Sequence, residues 1–140
     1  MKSADTYLNF NGNCAQAFDF YKTVFGGDFT SQMKYSDMPS EAPKGAEQSK
    51  RLMHIALPIS KTSRLMGCDI PENFGEISGN NFHIYLDTES KTEADKLSTT
   101  LSAGGKVSMP MATTFWGSYF GMVTDKFGVQ WMIGFETSPQ

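Results

Sequence analysis

His54 and His83 are the side chains whose type suits proton transfer near neutral pH, because imidazole titrates there without a special environment. Either can orient an oxygen-rich ligand by hydrogen bonding or take a proton as a general base; a histidine satisfied by a neighbouring backbone group or tyrosine hydroxyl is the competing structural role. Parity in strand-like stretches turns both away from an apolar stripe: Met53, Ile55 and Leu57 flank His54, and Phe82, Ile84 and Leu86 flank His83. The stretch "TTFWGSYFGM" adds Trp116, Tyr119 and Phe120 around Gly117, a group able to stack on a planar ligand or to pack at a dimer contact. Cys14 and Cys68 have neither the number nor the spacing of a disulfide framework or a zinc site, and are expected as small buried thiols. Glu136 lies near the end of the last strand, and Asp69, Glu72 and Glu76 fall in a linker, so no carboxylate is assigned to catalysis.

These residues must be positioned by regular elements, and the punctuation of the chain supplies them. A short strand at 7–10 is followed by Asn13, a good N-cap, and by "CAQAFDFYKTVF", with Ala17, Phe20, Tyr21, Val24 and Phe25 at helical spacing before Gly26 and Gly27. The grammar then returns: "FHIYLD" alternates, Ser90 and Glu93 make a capping box, Ala94, Leu97 and Leu101 line a helix, and Gly104 with Gly105 ends it. Ile84 follows Tyr7 by 77 residues, Ser90 follows Asn13 by 77, and Gly104 follows Gly26 by 78, which marks an internal duplication. Three strand candidates complete each half, at 28–35, 51–59 and 63–68, then at 106–112, 117–124 and 129–135.

The unit is therefore strand, helix, three strands. One helix covers one face of a four-stranded sheet, so the uncovered face must be buried by curling around a cavity, by the other unit, or by another chain. Within "DKFGVQWMIGFE" the residues Val129, Trp131, Ile133 and Phe135 make the helix-facing stripe, leaving Gln130, Met132, Gly134 and Glu136 on the uncovered side. The polar stretch at 36–50 lacks a hydrophobic period and reads first as a plain mobile loop, with closure over a pocket mouth as the alternative; a second, at 69–81, joins the units.

Composition narrows the partners. A chain of 140 residues with 39% hydrophobic and 13% aromatic residues holds enough apolar material for one domain with a sizeable core. Its net charge of -3 leaves no excess of cations for a phosphate backbone, so nucleic acid is not expected. Neither a signal peptide nor an apolar run of membrane-spanning length occurs, and the expectation is a cytoplasmic protein without a membrane partner. Nine methionines and eleven phenylalanines suit an adaptable apolar cavity as well as ordinary core. No Walker loop, dinucleotide fingerprint, HExxH or nucleophile elbow is present.

On "NGNCAQAFDFYKTVFGGDF", "GGKVSMPMATTFWGSYFGMVTDKFGVQWM" and their pairing in one short chain, the sequence resembles the vicinal oxygen chelate superfamily, which includes glyoxalase I, extradiol dioxygenases and bleomycin-resistance proteins, and within it the PhnB-like subgroup. The resemblance implies an α+β fold: a single domain spanning 1–140, with two paired βαβββ modules at 5–68 and 82–136 joined by the linker, forming a U-shaped cleft, often in a homodimer. It also implies, in metal-dependent members, four ligands to a divalent cation, one from the first and one from the last strand of each module. Those positions fall here on Thr6, Met66, His83 and Met132. Thioethers are poor partners for a hard divalent ion, so neither the usual metal site nor another cofactor is expected. The resemblance thus implies a small organic ligand in an apolar cleft touching His54, Met66, His83, Trp116, Phe120 and Met132, with His54 and His83 as candidates for any catalysis. The alternatives are a metal-dependent lyase, isomerase or dioxygenase, and a non-catalytic interaction dimer. Transfer of a methyl group, a label that PhnB-like sequences carry, finds no support in a chain without a nucleotide or S-adenosylmethionine fold.

Overall fold

The structure, a computed structural model, describes residues 1–37, 46–71 and 75–136. Most of the loop expected at 36–50, and Glu72, lie outside the described residues. The chain divides into two compact units, Met1–Ser78 and Gly79–Gln140. Each is one βαβββ module.

The first module runs β1 (Thr6–Phe10), α1 (Cys14–Phe25), β2 (Ser31–Lys34), a 3-10 turn (Tyr35–Asp37), a short α2 (Ala46–Lys50), β3 (Leu52–Pro58) and β4 (Arg64–Asp69). Its sheet has the order β1-β4-β3-β2, with β1 parallel to β4 and the other pairs antiparallel. The second module repeats this with β5 (Ile84–Asp87), α3 (Lys91–Ser102), β6 (Lys106–Thr113), β7 (Ser118–Thr124) and β8 (Gln130–Glu136), in the order β5-β8-β7-β6.

Helix α1 buries Cys14, Ala17, Phe18 and Tyr21, an i, i+3, i+4, i+7 stripe. The expected face gave Phe20 and Val24 a place that belongs to Cys14 and Phe18; all the candidates are apolar, and only the helix's rotation over the sheet separates them. Phe18 packs edge-on to Phe10 and Tyr21, and each such ring contributes about 1.5–3 kcal/mol through burial. A side chain at Gly67 would strike the Phe18 ring and the Leu8 carbonyl, so β4 needs a glycine beneath the helix. Gly26 and Gly104 close the two helices in the left-handed region, at φ 77 and 76.

The helix N-termini are capped by different chemistry. Ser90 accepts from the Glu93 amide at 3.1 Å while the Glu93 carboxylate accepts from the Glu89 amide at 2.9 Å, one residue earlier than a standard capping box. Asn13, by contrast, makes no side-chain cap. Asp69 takes its place: this carboxylate accepts from the amides of Gly12 at 2.9 Å and Cys14 at 3.0 Å through one oxygen, and from Leu52 at 3.0 Å through the other. Asp69 is thus a buried member of β4 and not a linker acid.

Candidate functional site

In the first module the face away from α1 carries Tyr7 and Asn9 from β1, Met66 and Cys68 from β4, His54 from β3 and Met33 from β2. Cross-strand pairing places them: Tyr7 opposes Met66, Met66 opposes Ala56, Asn9 opposes Cys68, and Met33 opposes His54. Thr6 instead opposes Leu65, a buried residue under the helix. The first-strand position beside Met66 is therefore Tyr7, one residue beyond Thr6, because a one-residue change of register moves a side chain to the other face.

Tyr7 and His54 form the polar centre of this face. Their rings stack with centroids 5.8 Å apart, and Tyr7 Oη lies 3.2 Å from His54 Nδ1. This bond occupies Nδ1 and leaves Nε2 as the ring nitrogen outside it; the tautomer sets whether Nε2 donates or accepts. Burial first, and the Cys68 thiol beside it second, push the Tyr7 phenol up to about 12, so it stays a neutral hydroxyl throughout the physiological range. Cys68 is half-buried on the open face, not a core thiol like Cys14; its Sγ lies 3.5 Å from Asn9 Oδ1, and burial raises its pKa.

The Tyr7 shift has a measurable consequence. A phenol whose pKa rises from 10.0 to about 12 on folding binds its proton more firmly in the native state, so stability is present below pH 10 and declines from there toward pH 12. Tyr7→Phe is expected to flatten that decline in urea midpoints measured across the window. Tyr35, Tyr85 and Tyr119 also have raised values, so the difference between variant and wild type, rather than the absolute slope, isolates Tyr7.

The second module's open face follows the same plan. Tyr85 on β5 opposes Met132 on β8 as Tyr7 opposes Met66, and Trp131 and Ile133 are buried beneath α3. Its ring lies over Gly134, where any side chain would meet it, and burial, with Glu136 and Asp87 nearby, raises the phenol's pKa. Phe120 opposes Gly134 on this face, and Trp116 packs 6.3 Å from Phe120 and is 53% exposed. Tyr119 leaves the expected aromatic group: its hydroxyl bonds Asp95 of α3 at 2.5 Å, and the exposed Phe115 ring meets Trp116 instead, at 5.0 Å. Alternation along β7 requires this split of Tyr119 from Phe120.

His83 precedes β5, half-buried, and Phe82 is 56% exposed, so the expected stripe before Ile84 does not extend back to Phe82. The segment is held by Gln130, whose amide donates to the Phe82 carbonyl at 2.7 Å.

With Tyr7 in place of Thr6, the donors at the four family positions are two thioethers, one phenol of raised pKa and one imidazole, a set that does not fit a hard divalent ion. Among the described residues, no group of three or more His, Cys, Asp or Glu side chains could hold a metal. A separate shallow depression at the β3–β4 turn is lined in part by Asp5, Ser60, Lys61, Ser63 and Arg64, and its Arg64 is already paired with Asp5 at 3.3 Å. Of the described helices, none is long and apolar enough to cross a membrane.

Comparison with known proteins accounts for this architecture. The family model for the Glyoxalase/Bleomycin resistance protein/Dioxygenase superfamily matches residues 4–133. Protein YjdN of Escherichia coli K12 is 33% identical over 135 residues, covering 91% of this chain and 90% of its own. The crystal structure of protein PA1353 from Pseudomonas aeruginosa is 36% identical with a TM-score of 0.84, covering 97% of this chain and 100% of that one. A PhnB protein from Bacillus cereus shares the fold at a TM-score of 0.74 and 22% identity, covering 95% and 98%.

Proposed function

Because the chain belongs to the glyoxalase/bleomycin resistance/dioxygenase superfamily, with YjdN as a PhnB-like relative, we propose that it binds a small organic ligand on the uncovered sheet face, without the superfamily's divalent-metal centre. The reading rests above all on the Tyr7–His54 hydrogen bond at 3.2 Å, set beside the thioether of Met66. A neutral hydroxyl and an imidazole provide a donor and an acceptor that fix one polar group of the ligand. The methionine provides an adaptable apolar surface for the rest. Such a face selects a molecule with one hydrogen-bonding end and an apolar or planar body. Any chemistry on it would begin with His54 Nε2 as the base.

A ligand panel read by thermal shift tests this, since a compound bound only to the native state must raise the apparent stability. Expected are hits whose shift falls in Tyr7→Phe and falls further in His54→Gln, with the unliganded melting temperature of both variants near wild type. The effect on affinity should be about tenfold, corresponding to the roughly 1.4 kcal/mol of a lost hydrogen bond to a buried ligand. Hits indifferent to both substitutions would place the ligand elsewhere. No hits from a protein that sediments as a dimer would make the face an interface between copies.

A further inference from the structure

We propose that the open face of the second module binds a soft monovalent metal ion of the copper(I) class through the thioethers of Met109, Met122 and Met132. The three lie in one row across three neighbouring strands: Met109 opposes Met122, Met122 opposes Met132, and Tyr85 closes the row on β5. Residues directly opposed on adjacent strands share a face, with Cα atoms about 4.5–5.5 Å apart. Three unbranched side chains on that spacing can turn their sulfurs toward a common point above Met122.

The row depends on an irregularity in β6. Val107 opposes Val123, which is buried under α3, and simple alternation would put Met109 on that same side. The register shifts between Val107 and Met109, and the shift carries Met109 to the open face beside Met122. Such bulges re-aim side chains and cluster at functional sites. Met109 is 42% exposed, and Met122 and Met132 are half-buried, so the sulfurs are not sealed in a core. Met111 behaves differently: its sulfur packs against Gly121, whose partner Ile133 is buried under the helix.

The donor chemistry selects the ion. A thioether is neutral, soft and polarisable; it favours copper(I) over magnesium, calcium or manganese, which seek oxygen. No ligand has to lose a proton, so affinity should be flat across neutral pH, unlike that of a thiolate or imidazole site. Both thiols are held in the protonated form by burial, which weakens them as competitors.

Silver(I), a redox-stable mimic, is the probe, added to the full chain carrying labelled methionine methyl groups. The methyl resonances of Met109, Met122 and Met132 are expected to move together and saturate at one equivalent. Met122→Leu, a nearly volume-conserving change, should weaken binding by about tenfold or more, whereas Met111→Leu should leave it unchanged. Unmoved methyl resonances, an affinity indifferent to Met122→Leu, or binding abolished by Cys68→Ser would each overturn the site. So would an equal response of the three methyl groups to magnesium(II).

Discussion

Asp69→Ala is expected to destabilise the first module by about 3 kcal/mol or more, enough to threaten its folding, since domains are stable by only about 5–15 kcal/mol. Three backbone amides, those of Gly12, Cys14 and Leu52, donate to this one carboxylate at 2.9–3.0 Å. Asp69 is buried, so alanine leaves these donors without their acceptor and admits little water to replace it. Each orphaned buried donor costs about 1–3 kcal/mol. The carboxylate also sits at the N-terminus of α1, where the helix dipole favours a negative charge. Asp69→Asn should fall between: its carbonyl oxygen can keep two of the bonds, but its amide then faces the Leu52 amide, donor against donor. Urea unfolding of both variants checks the order, and two midpoints indistinguishable from wild type would refute it. The same clamp fixes the ends of β1 and β3, which carry Tyr7 and His54. Asp69→Asn should therefore lower ligand affinity beyond its effect on global stability, as a positioning residue does.

Why this residue escapes a reading of the sequence is instructive. In "LMGCDIP" the aspartate ends a strand and precedes a proline two residues later, the grammar of a loop. Its partners lie 17, 55 and 57 residues away, and no local pattern reports them. The one available signal is that Cys68 and Ile70 bracket it. Features written in local chemistry were legible: the capping pair Ser90 and Glu93, the glycines after each helix, and the alternation that buries Trp131 and Ile133 and leaves Met132 on the other side. From them follow the duplicated module and the place of Met132 on the uncovered face of the last strand. Register was not legible. "TYLNF" offers Tyr7, an amphipathic ring, on one parity and Thr6, a small polar residue, on the other; pairing with β4 alone decides between them. The methionine row was hidden for a related reason, because the shift in β6 reverses the parity that alternation predicts for Met109.

The second large effect concerns the turn before β8. Asp125 is buried, and its carboxylate accepts from the amides of Phe127 at 2.8 Å and Val129 at 3.1 Å and from the Trp131 indole at 2.9 Å. The turn is closed further by the Asp125 amide on the Val129 carbonyl at 2.9 Å and by Gly128 at φ 87. One side chain thus sets both the turn and the first inward residue of the strand, and with them the register that puts Met132 on the open face. Trp131→Ala removes a fully buried ring and should cost about 3–5 kcal/mol. Asp125→Ala should cost about 3 kcal/mol, by orphaning three donors. The discriminating experiment is the cycle that adds Trp131→Phe, which deletes the indole N–H while keeping most of the ring. If the indole–carboxylate bond carries part of the stability, the double variant Asp125→Ala/Trp131→Phe should be less destabilised than the sum of the singles by about 1–2 kcal/mol, because phenylalanine removes a donor that alanine has already orphaned. Strict additivity would mean that Asp125 acts through the turn amides alone. In that case Val129→Pro, which removes one of those two amides and leaves the Phe127 bond in place, should reproduce only part of its loss.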